Sequence, residues 1–260
     1  MAGNLHSYQL TFQVLIKPLE HKTLHCTFAQ ILEMAKINIA IDGLSGCGKS
    51  STAKAVAKEL GYKFIDTGAM YRSVTLYMLD NEVDINSAIS IQKALSHIRI
   101  DFQYNPETRK NETFLNGQNV EEEIRSMRVA GSVSQVAAIK EVRVAMVKQQ
   151  QLMGKDRGVV MDGRDIGSVV FPDAELKVFM TASTEVRARR RQMELEEKGE
   201  LIDLSEIVKN LEERDRIDSS RAESPLIKVE DAVEIDTSDL KFEEQVQKVL
   251  NLARQRIEGK

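Results

Sequence analysis

Ile37-Asn38-Ile39-Ala40-Ile41-Asp42-Gly43-Leu44-Ser45-Gly46-Cys47-Gly48-Lys49-Ser50 decides the fold. Ile37 to Gly43 is a β-branched run, the pattern of a parallel strand buried on both faces. Gly43 to Ser50 then fits G-x-x-x-x-G-K-[ST] in full. From Ser50 to Leu60, alanine, lysine and leucine recur at helical spacing, and Gly61 offers a left-handed stop. Strand, glycine loop and helix follow in the order the motif needs, which excludes an ordinary glycine-rich surface turn. Successive backbone N–H groups at a helix N-terminus surround polyphosphate where side chains would be too bulky. Gly43, Leu44, Ser45, Gly46, Cys47, Gly48, Lys49, Ser50 and Ser51 are therefore candidate ATP contacts. Lys49 is expected to neutralise the β- and γ-phosphates, and the Ser50 hydroxyl to enter a Mg²⁺ shell. Cys47 reads as a small filler, since no histidine stands near it to activate a thiol.

Further along, Tyr62 to Ile65 reads as a short strand and Ala69 to Leu79 as a helix. Between Ile98 and Asn119 the period changes to two, with turn chemistry at Asn105-Pro106 and Asn116-Gly117, so a small antiparallel insertion is expected. Helical spacing returns over 122–153. Val159 to Met161, Leu176 to Met180 and Ala232 to Asp236 read as strands, and charge-rich helices are expected over 183–198 and 204–215, with a last helix at the C-terminus. Strands alternating with helices predict an α/β fold of the doubly wound kind, a parallel sheet covered on both faces. One domain is expected over 36–256, with a monophosphate-binding insertion near 96–130 and a helical lid near 185–220. Residues 1–33 are expected to be a poorly ordered extension. His21 and His25 in it lack a third metal ligand, and Met34 is a candidate translation start.

Composition narrows the function classes. The chain has 260 residues, 42% hydrophobic and 29% charged, enough to bury a core without staples. A net charge of −4 argues against a nucleic-acid coat, so anion-binding arginines must be clustered locally. Two cysteines suit a reducing cytoplasm, and neither a secretory signal nor a membrane span is read. No N-K-x-D segment is present to read guanine, which disfavours a regulatory GTPase.

Four further blocks carry more information than the loop: Asp66-Thr67-Gly68-Ala69-Met70-Tyr71-Arg72; Ser134-Gln135-Val136-Ala137-Ala138 with Val142-Arg143; Asp162-Gly163-Arg164-Asp165-Ile166-Gly167; and Glu213-Arg214-Asp215 with Asp218 and Arg221. In these, from about Ile37 to Arg256, the chain resembles bacterial-type cytidylate kinases, of the P-loop nucleoside monophosphate kinase superfamily. The resemblance implies phosphoryl transfer from ATP with Mg²⁺ to CMP or dCMP. It also implies that Arg72, Arg164 and Arg221 hold the acceptor phosphate, Arg214 and Asp218 the sugar, and Ser134, Arg143 and Asp165 the cytosine, with Thr67 and Tyr71 in the same site. The family commonly has serine where this chain has Thr67, and Gly-Lys-Gly-Thr where it has Gly48-Lys49-Ser50-Ser51; both departures keep a hydroxyl nearby. A monomer is expected, with no nucleic-acid or membrane partner.

The chemistry is consistent with this on its own terms. Two phosphate anions must meet, so cations are needed on both sides of the transferring group. Arginine suits the task, because its planar fork bonds two oxygens and stays charged when desolvated. Catalytic roles are accordingly expected for Lys49, Arg164 and Arg221. In the run Arg187, Arg189, Arg190, Arg191, the i, i+3 spacing puts Arg187 and Arg190 on one face, the expected lid arginines for the γ-phosphate. A carboxylate at Asp165 would accept from the cytosine amino group and repel the uracil carbonyl. A structural cap at Asp165 and a metal-facing role for Asp162 remain open, as do a kinase for UMP, AMP or an alcohol, and a nucleotide-dependent binding module.

Overall fold

The structure is a computed structural model that describes residues 36–107, 110–197 and 199–259. The expectations for residues 1–33 and the start at Met34 lie outside the described residues. Five parallel strands form the main sheet: β1 (Asn38–Gly43), β2 (Lys63–Asp66), β6 (Val159–Gly163), β7 (Leu176–Thr181) and β8 (Val233–Asp236), in the order β2-β6-β1-β7-β8. Between β2 and β6 lies a separate antiparallel sheet of β3 (Ile100–Asn105), β4 (Lys110–Leu115) and β5 (Gln118–Asn119).

Strand alternation explains why helices are needed on both faces. In β1, Ile39 and Ile41 enter one core with Val160, Leu176 and Val178, while Ala40 enters the other with Ile65, Val159 and Met161. The first core is closed by Ala53 and Val56 of α1 (Lys49–Leu60) and Val249 and Ala253 of α8 (Phe242–Glu258). The second is closed by α2 (Thr67–Asp80), α3 (Ala88–His97), α4 (Met127–Ala138) and α5 (Lys140–Met153). Two remaining helices, α6 (Thr184–Glu196) and α7 (Leu204–Ser220), share a small apolar cluster of their own, Ala188 and Leu195 against Ile207 and Leu211.

Three details depart from the sequence reading. The helix expected over 122–153 is a 3₁₀ turn at Glu123–Arg125 followed by two helices, broken where Ile139 turns extended (φ −70°, ψ 126°). Helical periodicity runs through such a one-residue break, since neither proline nor glycine marks it. Helix α3, capped where the Ser87 hydroxyl accepts from Ser90 N at 3.3 Å, occupies a stretch to which no element is assigned from sequence. A π-helical turn, Ile166–Val170, follows the Arg164-Asp165 pair.

Candidate active site

The glycine loop leaves β1 at Gly43, whose φ is +144°; a Cβ there would lie 1.9 Å from the Met180 carbonyl oxygen, so no side chain fits. It ends at Gly48 in the left-handed region, φ 91°, as the N-cap of α1. Lys49 is buried and donates from Nζ to its own loop at Leu44 O, 2.6 Å. Its pKa is lowered, first by burial and then by Arg164.

The other groups arrive from the carboxyl ends of adjacent strands, where open α/β sheets place ligands. In register, Asp66 of β2 lies beside Asp162 of β6, and Asp42 of β1 beside Gly163. Thr67 is buried and donates to the Asp162 carbonyl at 2.7 Å. The Ser50 hydroxyl donates to Asp162 Oδ2 at 2.6 Å, while Asp162 Oδ1 is buried without a hydrogen-bond partner. Burial, and then the Asp66 carboxylate, push the Asp162 carboxyl up to about 7.

A cavity of about 1150 Å³ spans the face above these strand ends. Ser45, Gly46, Gly48, Lys49, Ser50 and Ser51 line one part; Thr67, Tyr71, Arg72, Ser134, Arg143, Arg164, Asp165, Arg214, Asp218 and Arg221 line the rest. Every residue expected at the acceptor thus faces one hollow with Lys49. Gly43, Leu44 and Cys47 do not line it; Cys47 is fully buried.

Charge in this hollow is unbalanced. Arg164 donates from Nε to Asp218 at 2.8 Å, from Nη2 to Ser45 Oγ at 2.7 Å and from Nη1 to Gly163 O at 3.3 Å. Of the five N–H groups of a guanidinium, two remain, one on each terminal nitrogen. Arg221 donates to Asp218 (3.2 Å) and Ser224 O (2.8 Å), and its Nη2 is buried without a hydrogen-bond partner. Among the described residues no ion pair reaches Arg72 or Arg214. Burial, then Arg164 and Arg72, lower Arg214 to about 10, and burial lowers Arg72 as well. Half-buried cations with no carboxylate within ion-pair distance define a site for a ligand of the opposite sign.

Asp165 is buried, with Oδ2 accepting from Arg143 Nη2 at 2.5 Å and Oδ1 lying 3.8 Å from Arg221. Arg143 also lies over the Tyr71 ring, 5.2 Å to the centroid, and its Nε is buried without a partner. Asp165 caps nothing with its side chain. The cap falls to Asp42, whose buried carboxylate accepts from Ile166 N at 2.8 Å and Gly167 N at 2.7 Å and so fixes the turn that carries Arg164 and Asp165. Burial raises Asp42 to about 6 against those two hydrogen bonds.

The two expected lid arginines are held differently in this arrangement. Arg187 does share a helix face with Arg190, but only Arg190 lines the cavity, while Arg187 is bonded to the loop at Ser45 O. Arg187 is 3% exposed, donates to Ala182 O, Ser45 O, Asp215 and Thr184 Oγ1, and does not line the cavity. Arg190 lines the cavity while donating to Thr237 O at 2.7 Å and, at 3.5 Å, to Cys47 O. Its neighbour Arg191 also faces the cavity, paired with Glu194 at 3.0 Å.

Two contributors escape the sequence reading. Arg125, at the end of the 3₁₀ turn, enters the cavity, held by Glu121 through two donors (2.6 and 2.9 Å), with Asp66 3.7 Å away. Glu121 is itself held by the Thr113 hydroxyl at 2.7 Å. The other is Asp42; an aspartate closing an apolar strand was the one signal available for it.

The cytidylate kinase family profile matches residues 39–255. A cytidylate kinase of Cytophaga hutchinsonii is 56% identical over 220 residues, covering 85% of this chain and 94% of that protein. Those of Flavobacterium psychrophilum and Bacteroides thetaiotaomicron are each 53% identical, covering 84% and 82% of this chain and 98% and 94% of their own. With a family match over most of its length and relatives above half identity, the chain belongs to the cytidylate kinase family.

Proposed function

We propose that this cavity transfers the γ-phosphoryl group of ATP to CMP or dCMP. The observation that carries the reading is the sharing of one hollow by the phosphate loop, the unpaired Arg72 and Arg214, and the buried Arg143–Asp165 pair. The donor lies along Gly46 to Ser51, with Lys49 leaving its Leu44 carbonyl for the β- and γ-phosphates. Arg72, Arg164 and Arg221 receive the acceptor phosphate: Arg164 has two N–H groups left for it, and Arg221 Nη2 is an orphan donor. Arg214 and Asp218 face the sugar.

Ser134, Arg143 and Asp165 read the base. Asp165, placed between the Arg143 and Arg221 guanidinium groups, accepts from the cytosine amino group and repels the uracil carbonyl. Arg143 is fixed by Ala137 O at 3.1 Å and by Asp165, and its free Nε suits an acceptor on the ring.

The residues present fit Mg²⁺, a hard cation that takes oxygen ligands. Ser50 Oγ and the orphan Oδ1 of Asp162 would hold it, directly or through water. When bound it would supply positive charge that offsets the negative charge of the donor's phosphates. The protein's own part is positional: cations on both sides bring two anions together, and α6 with α7 forms a lid that keeps water from taking the phosphoryl group. No general base is needed, since the acceptor phosphate is already ionised. The enzyme is taken to work as a cytoplasmic monomer on nucleotides alone; among the described residues no helix is long and apolar enough to cross a membrane.

A coupled assay with ATP, Mg²⁺ and a panel of nucleoside monophosphates tests this. CMP and dCMP should be turned over well ahead of UMP and AMP. A preference for UMP or AMP, or no turnover with any, would overturn it.

A further inference from the structure

Ser45 is held at all three of its polar groups by three different parts of the chain. Its N–H donates to Asp215 Oδ1 of α7 at 3.1 Å, its carbonyl accepts from Arg187 Nη1 of α6 at 3.0 Å, and its hydroxyl accepts from Arg164 Nη2 at 2.7 Å. Arg187 and Asp215 also bond each other at 2.5 Å, so the two backbone contacts close into a ring through both helices. The residue is 3% exposed. The loop backbone at this point is therefore fixed without help from the hydroxyl, which is left for Arg164.

Arg164 has few other restraints. Its Nε is held by Asp218 and its Nη1 only by the 3.3 Å contact to Gly163 O. A guanidinium gripped at Nε alone still turns about its long side chain, and bidentate recognition of a phosphate depends on the plane of the fork. Ser45 Oγ is the second point that sets that plane.

We propose that Ser45, although part of the ATP loop, is a positioning residue for the acceptor: its hydroxyl orients Arg164 so that the two free N–H groups face the phosphate of the monophosphate. The proposal rests on the reading of CMP as acceptor. It adds that the loop governs acceptor affinity through a side chain, while its backbone serves the donor. It also explains why Asp215 and Asp218 lie on one stretch of α7. The first sets the Ser45 backbone and the second the Arg164 Nε, and together they keep the donor loop and the acceptor arginine in one register.

The test is a steady-state comparison of Ser45→Ala with the natural chain, varying CMP and ATP separately. KM for CMP should rise about tenfold, the effect of one hydrogen bond to a charged group, while KM for ATP changes less than twofold. A rise confined to KM for ATP, or equal rises in both, would overturn the proposal and leave Ser45 an ordinary member of the donor loop.

A double-mutant cycle guards against a folding artefact. In an Arg164→Lys background the fork is gone, so Ser45→Ala should add less than twofold to KM for CMP; a full additional tenfold would overturn the proposal. Failure of the underlying reading is distinguishable, because it appears as absent CMP turnover in the natural chain, before any variant is compared.

Discussion

The two ends of the cavity are built by different means. At the proposed donor end the lining comes from one glycine loop, which contributes Ser45, Gly46 and Gly48 to Ser51, and glycines at positive φ shape its path. At the acceptor end no segment suffices: Arg72 comes from α2, Arg143 from α5, Arg164 from the turn after β6, and Arg214 and Arg221 from α7 and its C-cap. The backbone cradle is rigid and generic, because amides carry little information about what is attached to the phosphate. The side-chain cradle discriminates, and several of its members are held by other side chains: Asp218 holds Arg164, Asp165 holds Arg143, and Asp42 holds the turn that carries Arg164 and Asp165. Specificity thus depends also on a buried group, Asp42, that does not line the cavity.

The sharpest break between the ends should come from Lys49→Ala. It removes the loop's only lysine and should lower kcat by about 10³-fold with the far-ultraviolet circular dichroism unchanged. Near-normal turnover would remove Lys49 from the chemistry.

Next in size, Arg187→Ala should lower unfolding stability by about 3 kcal/mol in urea titration, since it leaves Asp215 partly buried and unpaired. Arg191→Ala, on the same helix but facing the cavity, should cost under ~0.5 kcal/mol. Equal costs for both would contradict the separation of the two faces of α6.

Asp165→Asn should narrow the preference for CMP over UMP by about 30-fold in kcat/KM, within the range set by one charged hydrogen bond. Unchanged discrimination in a folded variant would count against Asp165 as the base reader.

A further effect concerns Asp42 and pH. Its folded pKa of about 6 lies above the ordinary 3.8, so between these values the folded chain holds a proton that the unfolded chain has released. Stability contributed by this group therefore falls as pH rises from about 4 to 6, by at most about 1.4 kcal/mol per pH unit, and is flat above that window. Relative to Asp42→Asn, the natural chain should lose stability over that interval in thermal melts; parallel curves would show that the carboxylate is not strained by burial.

This contrast also accounts for what was legible in the sequence. The donor loop could be read from eight consecutive residues, and the parallel sheet from β-branched runs alternating with helical spacing. The acceptor residues could be placed only as blocks resembling a family, since nothing local in Ser134 or Arg221 says that they face one hollow. Helical spacing correctly put Arg187 and Arg190 on one face, yet periodicity does not say what a face looks onto, and Arg187 turned out to brace the loop from behind. The roles of Asp42, Arg125 and Ser45 depend on contacts across more than 100 positions, or on a turn set by Thr113 and Glu121, and no local pattern encodes those.

Calorimetric titration of CMP and of cytidine into the natural chain and into Arg72→Ala, without ATP, bears most directly on the claim that unpaired arginines define the acceptor site. CMP should bind at least tenfold more tightly than cytidine to the natural chain, and that advantage should shrink severalfold in the variant, with cytidine affinity nearly unchanged. Equal binding of CMP and cytidine by the natural chain would contradict the account.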